Sequence, residues 1–542
     1  MKGYLLIIPL LLYFLFQATL AAREDSVTID EYLHLPLGYY FLQTGDLSLD
    51  PINPPLARLL WALPLMLTKP DLSIAPTNDA WGIGTDFMYR NQERYHAIFV
   101  ESRFLVIGAA LVLLFLIYYW SKQVFGERAA IAALFLACFS PDLLAHGHLV
   151  TTDLLATLMF SLTLFGLWRY WRKPSVSAAM LTGFSFGLAV LVKFSCLILV
   201  LPICVIMAML GVKKIWRDLV LTLFLATIVI NAGYGFHGTF LQLRQISFVE
   251  SGKLNQFAQA LPWLRLPLPS PCVQGFDRIL EEGTLNQDHT FLFGETSTRG
   301  WWYYHLVAFL VKTPLPIILL FFGAVFTGLR TGGPGRDTKL YLLGNIFLVF
   351  LFNSLFNSQQ IGVRHVLIAY PLIFLLSGAY LSQLLNCISA AGPLLVRLGT
   401  GVACGLILWL FLETSLVSPR FIQYFNELAG GPENGHKVLI DSNIDWGQDL
   451  VRLKRYMERQ GIDSIKLAYF GKVNPKIYGV KFSPLELDSK GVVAISASFL
   501  MGRPFWWYKQ GVMQLIPANY YSRFRDRLPI ARVGAFFIFD LK

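Results

Sequence analysis

Long apolar runs separated by short polar stretches dominate the first three quarters of the chain. A helix needs about 20 mostly apolar residues to cross the hydrocarbon core of a bilayer, so the pattern predicts a polytopic α-helical membrane protein with about eleven transmembrane helices. The runs lie at residues 4–22, 98–120, 129–145, 154–170, 176–192, 194–210, 218–236, 315–329, 340–357, 366–385 and 398–416.

Two of these runs need interpretation. The first ends in Ala21-Ala22, as a secretory signal peptide would. Its apolar stretch is longer than a signal peptide's hydrophobic region, so we predict a retained helix. Lys193 interrupts the stretch 176–210, which is too long for one helix and slightly short for two. We interpret this stretch as a helical hairpin, because a hairpin keeps the distribution of charged loops consistent.

The composition supports a membrane protein. Hydrophobic residues make up 55% of the 542 residues, charged residues 15%, and the mean hydropathy is +0.53. The formal net charge of +11 could suggest nucleic-acid binding. However, the basic residues are strung between apolar runs instead of clustering on one polar domain, as is typical of membrane topology. We therefore exclude nucleic acid as a partner.

The basic residues also predict the orientation. If the amino terminus is cytosolic, most of them fall on the cytosolic side, as the positive-inside rule requires. They are Lys122, Arg128, Arg169, Arg172, Lys173, Lys213, Lys214, Arg217, Arg330, Arg336, Lys339 and Arg397. With a cytosolic amino terminus and eleven spans, residues 23–97, 237–312 and 420–542 lie outside the cytosol. Lys193 and Arg364 are basic residues in outward turns, where the positive-inside rule does not favour them. Each either binds an anion or lies at a helix end and extends its charge to the membrane–water interface.

The carboxyl-terminal tail differs from the rest of the chain. Alternating patterns predict strands at Lys437–Asp441, Ile465–Phe470, Gly491–Ser498 and Arg532–Leu541, and an amphipathic helix at Gly447–Gln460. The chain therefore divides into a transmembrane domain at 1–416 and a small extracytoplasmic α/β domain at 420–542. We interpret Asp445-Trp446 as a helix cap, and the tail shows no complete active site.

Two adjacent carboxylates, Asp30 and Glu31, follow the first apolar run directly. An acidic pair is costly to keep close to lipid, so it is a candidate functional site. The alternative is a pair of solvated loop charges. The surrounding residues favour the functional interpretation: His34, Gly38-Tyr39-Tyr40, Asp50 and the run Pro54-Pro55-Leu56-Ala57-Arg58.

These residues together resemble the lipid carrier-dependent glycosyltransferases of the protein O-mannosyltransferase type, which have the GT-C fold. In that family the first outward loop carries Asp-Glu and then His-Pro-Pro-Leu-Gly/Ala-Lys. Here Asn53 replaces the histidine and Arg58 replaces the lysine.

The resemblance continues to about residue 385. It includes His146–Asp153, Gly187–Lys193, Gly294–Ser297, Gly300–Tyr304, Lys312–Pro314 and Arg364-His365 with Tyr370-Pro371. The loop at 237–312 is too short for the β-trefoil insert of eukaryotic members, and the chain has no Asn-x-Ser/Thr glycosylation acceptor. Both observations favour a bacterial relative of glycosyltransferase family 39, in the plasma (inner) membrane with its active site facing the periplasm.

The resemblance implies transfer of a hexose such as mannose from a polyprenyl-phosphate donor to a hydroxyl acceptor on protein, lipid or glycan, with inversion. A positioned carboxylate can serve as general base, and we predict Asp30 for this role. Glu31 is expected to orient a neighbour or contact the acceptor. Fixed positive groups would stabilise the leaving phosphate. The candidates are Arg58, Arg364, His365 and Lys193 for the phosphate, and Asp153, His34 and Glu295 for the sugar or acceptor.

Metal use is left open. No ligand spacing predicts a metal site, although related oligosaccharyltransferases use a divalent cation. His34, His146, His148 and His289 are either metal or phosphate contacts or interfacial histidines bonded to backbone, and the second interpretation is favoured.

Two other functions fit a membrane protein with these charges. A transporter or flippase of lipid-linked sugars commonly shows two related halves with midplane ionisable residues, and neither is evident here. A binding subunit without catalysis would work mainly through its tail.

Overall fold

The computed structural model describes residues 4–75, 77–209, 212–249, 252–285, 290–330, 335–389, 393–509 and 512–541. The helices up to residue 233 are α1 (Tyr4–Glu24), α2 (Ile29–Thr44), α3 (Leu56–Trp61), α4 (Leu65–Thr68), α5 (Ala80–Arg90), α6 (Tyr95–Phe125), α7 (Glu127–Cys138), α8 (Pro141–His146), α9 (Asp153–Arg172), α10 (Val176–Val192), α11 (Val200–Met209) and α12 (Val212–Gly233).

The remaining helices are α13 (Lys253–Ala260), α14 (Ser270–Leu285), α15 (Tyr304–Lys312), α16 (Leu315–Arg330), α17 (Arg336–Phe356), α18 (Tyr370–Ser389), α19 (Pro393–Val417), α20 (Leu450–Gln460) and α21 (Ala497–Leu500). The strands are β1 (Thr290–Leu292), β2 (Glu295–Ser297), β3 (Ile465–Ala468), β4 (Phe482–Pro484), β5 (Gly491–Ser496), β6 (Phe505–Lys509), β7 (Val512–Ile516), β8 (Ala531–Val533) and β9 (Phe536–Leu541).

Each predicted apolar run coincides with helix, but the number of spans is not confirmed. Among the described residues, 7 helices are long and apolar enough to cross a membrane, or up to 8 if α15 and α16, bent by 118°, form one span. The run 129–145 is two short helices, α7 and α8, instead of one span. Pro141 begins α8, where its missing N–H costs nothing, and the Ser140 side chain caps that helix by accepting from the Leu143 N–H.

Two short apolar helices, α10 and α11, occupy the segment 176–210 that was predicted as a hairpin. α10 ends at Val192, and Lys193 is extended (φ −156°, ψ 127°). A 3-10 helix, Phe194–Leu199, then leads into α11. Lys193 therefore interrupts the apolar run, and it lies in the connection between the two short apolar helices.

α18 lies at the centre of the helical part, and the span Val363–Asn386 is mostly buried within the protein. It contacts α7 closely, because a Cβ added at Gly378 would lie 2.5 Å from the backbone nitrogen of Ala133. α19 is peripheral by contrast, with most of its length exposed. The start of the α18 span, which carries Arg364, is consequently held firmly inside the helical bundle.

The tail forms a five-stranded sheet in the order β4-β3-β5-β9-β8, in which β3 is parallel to β4 and β5, and β9 is antiparallel to β5. The predicted strands around β3 and β5 and the helix α20 are present. The segment Lys437–Asp441 is wrongly predicted as a strand, because it lies between two 3-10 turns. The predicted strand Arg532–Leu541 is a hairpin of β8 and β9, since Gly534 adopts a left-handed φ of 61° between them.

The tail packs directly on the loop that follows α1. Arg452 from α20 pairs with Asp25 at 2.7 Å and with Asp449 at 2.6 Å, and all three side chains are nearly buried. Asp25 also accepts from His148 at 3.0 Å. The region 237–312 reaches the same side, because a Cβ added at Gly275 would meet the Pro51 carbonyl oxygen. The three segments predicted to lie outside therefore share one side of the helical bundle.

Candidate active site

A cavity of about 870 Å³ lies between the first loop and the tail, and we call it the Asp30 cavity. The first loop contributes Asp30, Tyr32 and Trp81 to its wall. The tail contributes an aromatic and basic wall comprising Trp446, Tyr469, Phe470, Lys472, Phe499, Arg503 and Tyr521. Arg364 lies where these two walls meet.

Asp30 lies in the first turn of α2 and faces this cavity. Its Oδ2 accepts a hydrogen bond of 2.5 Å from Nη1 of Arg364, and a quarter of its side chain (25%) stays exposed. Arg364 is fixed on its other side by the indole of Trp446, 4.5 Å from the guanidinium carbon. Asp30 is thus both oriented and accessible, which a general base requires.

Glu31 faces the opposite way and does not reach the cavity. Its side chain is 0% exposed, and Arg103 donates to its two oxygens at 2.8 and 2.6 Å. Val150 and Thr28 donate backbone N–H groups at 2.9 and 3.0 Å. Burial opposes ionisation, but Arg103 and these hydrogen bonds outweigh it and hold the pKa of Glu31 below its usual value. In this conformation the Glu31 side chain contacts Arg103 and backbone N–H groups, and none of its surface is exposed to an acceptor.

Asp153 brings the two outward basic residues together. It begins α9 and is fully buried, and its Oδ1 accepts from Nζ of Lys193 at 2.7 Å. Its Oδ2 lies 3.6 Å from Nη1 of Arg364. Lys193 keeps 23% of its side chain exposed. Two cations and two carboxylates, Asp30 and Asp153, therefore form one cluster.

Several buried polar atoms around this cluster accept or donate no hydrogen bond within the described part of the chain. They are Nε of Arg364, Nε2 of His365, Nδ1 of His146, both ring nitrogens of His305, and Oδ2 of Asp153. The rings of His305 and His365 are 5.7 Å apart. Buried polar groups normally have partners, so this group of atoms indicates a place for a polar ligand.

Arg58 and His34 form a separate buried pair beside the cluster. Arg58 forms an ion pair with Asp50, and its Nε donates to Nδ1 of His34 at 3.0 Å. Burial and the Arg58 charge lower the pKa of His34 to about 4, so its ring is neutral at pH 7. A Cβ at Gly38 would overlap the Arg58 carbonyl, which explains how α2 and α3 approach closely enough to bury this pair. Neither side chain lines the Asp30 cavity.

Glu295 is the candidate that the structure places elsewhere. It lies in β2, is exposed, and pairs across the β1–β2 hairpin with Leu292. The left-handed residues Phe293 and Gly294 form the hairpin turn, and Glu295 does not line the Asp30 cavity. The expectation that Glu295 positions sugar or acceptor therefore finds no support in the lining of this cavity and stays a prediction.

Among the histidines named from the sequence, His34 and His148 are bonded to protein groups, whereas Nδ1 of His146 has no partner in the described part of the chain. Nδ1 of His148 donates to the Leu144 carbonyl at 2.8 Å, which is a backbone bond of the kind expected for these histidines, and its Nε2 lies 3.0 Å from Oδ2 of Asp25. His289 lies outside the described residues. Within the described ranges, no group of three or more His, Cys, Asp or Glu side chains is arranged to hold a metal ion.

Comparisons with known proteins agree with this architecture. The family described as dolichyl-phosphate-mannose-protein mannosyltransferase matches residues 98–233. The crystal structure of ArnT from Cupriavidus metallidurans bound to undecaprenyl phosphate aligns with 98% of this chain and 97% of that chain, at 12% identity and a TM-score of 0.50. The chain has the GT-C fold. No curated protein matches the sequence.

Two further solved structures are similar to a lesser degree. ArnT from the same organism in the apo state has a TM-score of 0.48, with 12% identity over 98% of this chain and 97% of that one. The archaeal oligosaccharyltransferase AglB from Archaeoglobus fulgidus, in complex with an inhibitory peptide and a dolichol-phosphate, has a TM-score of 0.46. That match has 9% identity over 94% of this chain and 74% of that chain. The GT-C fold and the long apolar helices make this chain an integral membrane protein.

The tail supplies residues to the Asp30 cavity that the sequence did not reveal. Asp441 lies in a left-handed conformation (φ 62°), lines the Asp30 cavity and pairs with Arg503. Burial raises the pKa of Asp441, although Arg503 opposes this shift. Trp446, interpreted from sequence as part of a helix cap, instead supports Arg364. No spacing or periodicity in the tail marks these residues, because their partners lie far away along the chain.

Proposed function

We propose that this protein is a membrane glycosyltransferase that transfers a monosaccharide from a polyprenyl-phosphate donor to an acceptor hydroxyl, with inversion at the anomeric carbon. The observation that carries the proposal is the contact between Asp30 and Arg364 in the wall of the Asp30 cavity. It joins an accessible carboxylate to a cation that can bind phosphate.

In this proposal Asp30 removes the proton from the acceptor hydroxyl as that oxygen attacks the sugar. General base catalysis by a positioned carboxylate contributes about 100- to 10,000-fold in rate. Arg364 keeps the Asp30 carboxylate pointing into the cavity. The opposite wall, with Trp446 and Tyr469, would hold the acceptor against Asp30.

The donor phosphate would occupy the region of unpartnered polar atoms next to Arg364 and His365. A leaving phosphate carries negative charge, and fixed cations lower the barrier most when they are already in position. Arg364 and Lys193 meet this condition because Asp153, fully buried, contacts both of them. His305 and His365 add ring nitrogens that are available to phosphate oxygens.

Arg58 and His34 have a supporting role in this scheme. Their hydrogen bond and the ion pair to Asp50 hold the end of the first loop against α2. Asp153 positions the two cations, which adds to its expected role beside the sugar. In this scheme the positive charges that bind the phosphate are the side chains of Arg364 and Lys193. No step uses a divalent cation.

We further propose that the Asp30 cavity opens on the extracytoplasmic side of a bacterial plasma membrane. The first loop, the region 237–312 and the tail lie on one side of the bundle, and the basic connections predicted to be cytosolic alternate with them along the chain. The sugar-phosphate headgroup of a lipid-linked donor lies at the membrane–water interface. The first loop, which follows α1, lies at the same level.

A deletion strain complemented with variants tests the function. Mass analysis of its glycans and glycolipids should show one missing sugar and accumulation of its lipid carrier. Wild-type protein and Asp71→Asn, an exposed carboxylate of the same loop, should restore the sugar, whereas Asp30→Asn should not. Restoration by Asp30→Asn at equal membrane expression would remove Asp30 from the mechanism. Carrier-linked sugar trapped on the cytosolic side of the deletion strain would favour a flippase instead.

A further inference from the structure

A second cavity, of about 370 Å³, lies beside the carboxyl-terminal end of α19, and we call it the α19 cavity. The last turns of α19, the segment after it and residues next to β9 form its wall. It shares no lining residue with the Asp30 cavity, and the proposed transfer does not use it.

Two acidic side chains meet in the wall of this cavity. Glu413, near the end of α19, accepts a hydrogen bond of 2.9 Å from the hydroxyl of Tyr424. Glu427 lines the same cavity, and it accepts from the indole N–H of Trp409 at 2.8 Å. Two adjacent carboxylates at the edge of a membrane are costly unless a proton or a cation lies between them.

A guanidinium group lies on the rim of the same cavity. Arg420 is exposed and forms no ion pair with any residue in the described ranges, whereas Arg532, also in the wall, is occupied by Glu433 at 3.1 Å. The α19 cavity therefore presents an acidic pair and the exposed Arg420, which together suit a ligand with both a positive and a negative group.

The apolar surroundings indicate where the rest of the ligand lies. The outer face of α19 exposes Leu408, Phe411, Leu412 and Leu416, the last of them at 77%. Leu428, next to Glu427, is also exposed. In an integral membrane protein this face contacts acyl chains, so a molecule in the cavity has lipid chains beside it.

We propose that the α19 cavity binds the headgroup of a phospholipid that carries a primary ammonium group. The ammonium would donate hydrogen bonds to Glu413 and Glu427, the phosphate would accept from Arg420, and the chains would follow the exposed face of α19. A primary ammonium has N–H donors for carboxylate oxygens, whereas a trimethylammonium group has none.

Native mass spectrometry of the full-length protein tests this proposal with two lipids that differ only in the amine. The protein is reconstituted in nanodiscs of phosphatidylglycerol mixed with phosphatidylethanolamine or with phosphatidylcholine of the same chains, and the retained lipids are counted. Charge-assisted hydrogen bonds predict retention of the ethanolamine lipid about tenfold above the choline lipid. Equal retention of the two lipids by the native protein would overturn the proposal.

Variants then locate the bound lipid. Glu413→Gln and Glu427→Gln should each abolish the preference for the primary amine, and Arg420→Ala should weaken retention of both lipids. Arg128→Ala, an exposed arginine bonded to Asn386 at the other end of the bundle, should change neither quantity. If the amine preference survives both glutamine variants, the lipid binds elsewhere and the proposal is wrong. Arg420 is exposed, so its variant gives a result even if a glutamate variant does not fold.

Discussion

Arg364 donates to Asp30 across 334 residues of sequence, at a distance of 2.5 Å. Arg364 comes from the buried start of the α18 span and Asp30 from the first turn of α2. The contact brings the proposed base and the proposed phosphate ligand to one point of the cavity wall. It is therefore the relationship on which the proposed chemistry depends.

Replacing Arg364 by lysine keeps the charge but removes the planar guanidinium, which lies against the Trp446 ring while its Nη1 contacts both Asp30 and Asp153. A compact ammonium cannot reproduce this geometry, so we expect Arg364→Lys to lower the rate of sugar transfer by at least about tenfold. Initial rates in membranes, with the lipid-linked donor varied, measure the effect. Arg128→Lys is the matched control and should leave transfer unchanged. Wild-type rates for Arg364→Lys would show that only the charge matters.

Glu31→Gln should destabilise the protein instead of acting on the chemistry directly. The substitution leaves Arg103 buried without its partner, and breaking one side of a buried ion pair costs about 3–5 kcal/mol. Unfolding in detergent, followed by heat or denaturant, measures the loss. Asp30→Asn should stay close to wild-type stability, because Asp30 is partly exposed.

The double variant Glu31→Gln/Arg103→Met is the control for this interpretation. Removing both charges leaves no unpaired buried ion, so part of the lost stability should return. If Glu31→Gln is as stable as wild type but inactive, Glu31 acts in the reaction and the structural interpretation fails.

Asp445 should make stability depend on pH. Burial raises the pKa of Asp445 to about 7. Hydrogen bonds from the Ser498 backbone N–H and from the Ser496 and Ser498 hydroxyls oppose this shift. An unfolded aspartate titrates near about 3.9. Between these two values the folded protein holds a proton that the unfolded chain has released, so the free energy of unfolding falls as pH rises.

Asp445→Asn removes this dependence while keeping the size of the side chain. The slope of unfolding free energy against pH, measured between about pH 4 and 7, should differ between wild type and variant by up to one proton. The comparison is needed because His34, whose pKa is lowered, contributes a slope of opposite sign in part of this range. Identical slopes for the two proteins would contradict the prediction.

Sugar transfer should persist when divalent cations are removed. Arg364 and Lys193 already place two positive charges at Asp153, where the proposal puts the donor phosphate. Transfer rates in membranes should therefore be the same with and without EDTA, whereas Lys193→Met should lower them. Loss of transfer with EDTA, restored by Mg²⁺ or Mn²⁺, would assign the phosphate to a metal ion instead.

The apolar runs predicted the helices well because burial in lipid is decided locally, by the length and composition of each run. α10 coincides with the predicted segment 176–192, and Lys193 marks the break that follows it. The run 129–145 was misread because apolarity alone does not show that Pro141 begins a new helix. The tail strands were less accurate, since short strands depend on partners that are distant in sequence.

The sequence by itself determined a helical membrane protein, suggested the GT-C fold through a family resemblance, and named Asp30, Asp153, Lys193 and Arg364 among its candidate site residues. Only the tertiary structure decided which charges meet. It buried Glu31 against Arg103, paired Arg58 with Asp50, left Glu295 exposed in β2, and brought Asp441 and Trp446 from the tail to the cavity. The reason is physical: residue type and spacing report local preferences, whereas an ion pair depends on a partner that can lie hundreds of residues away.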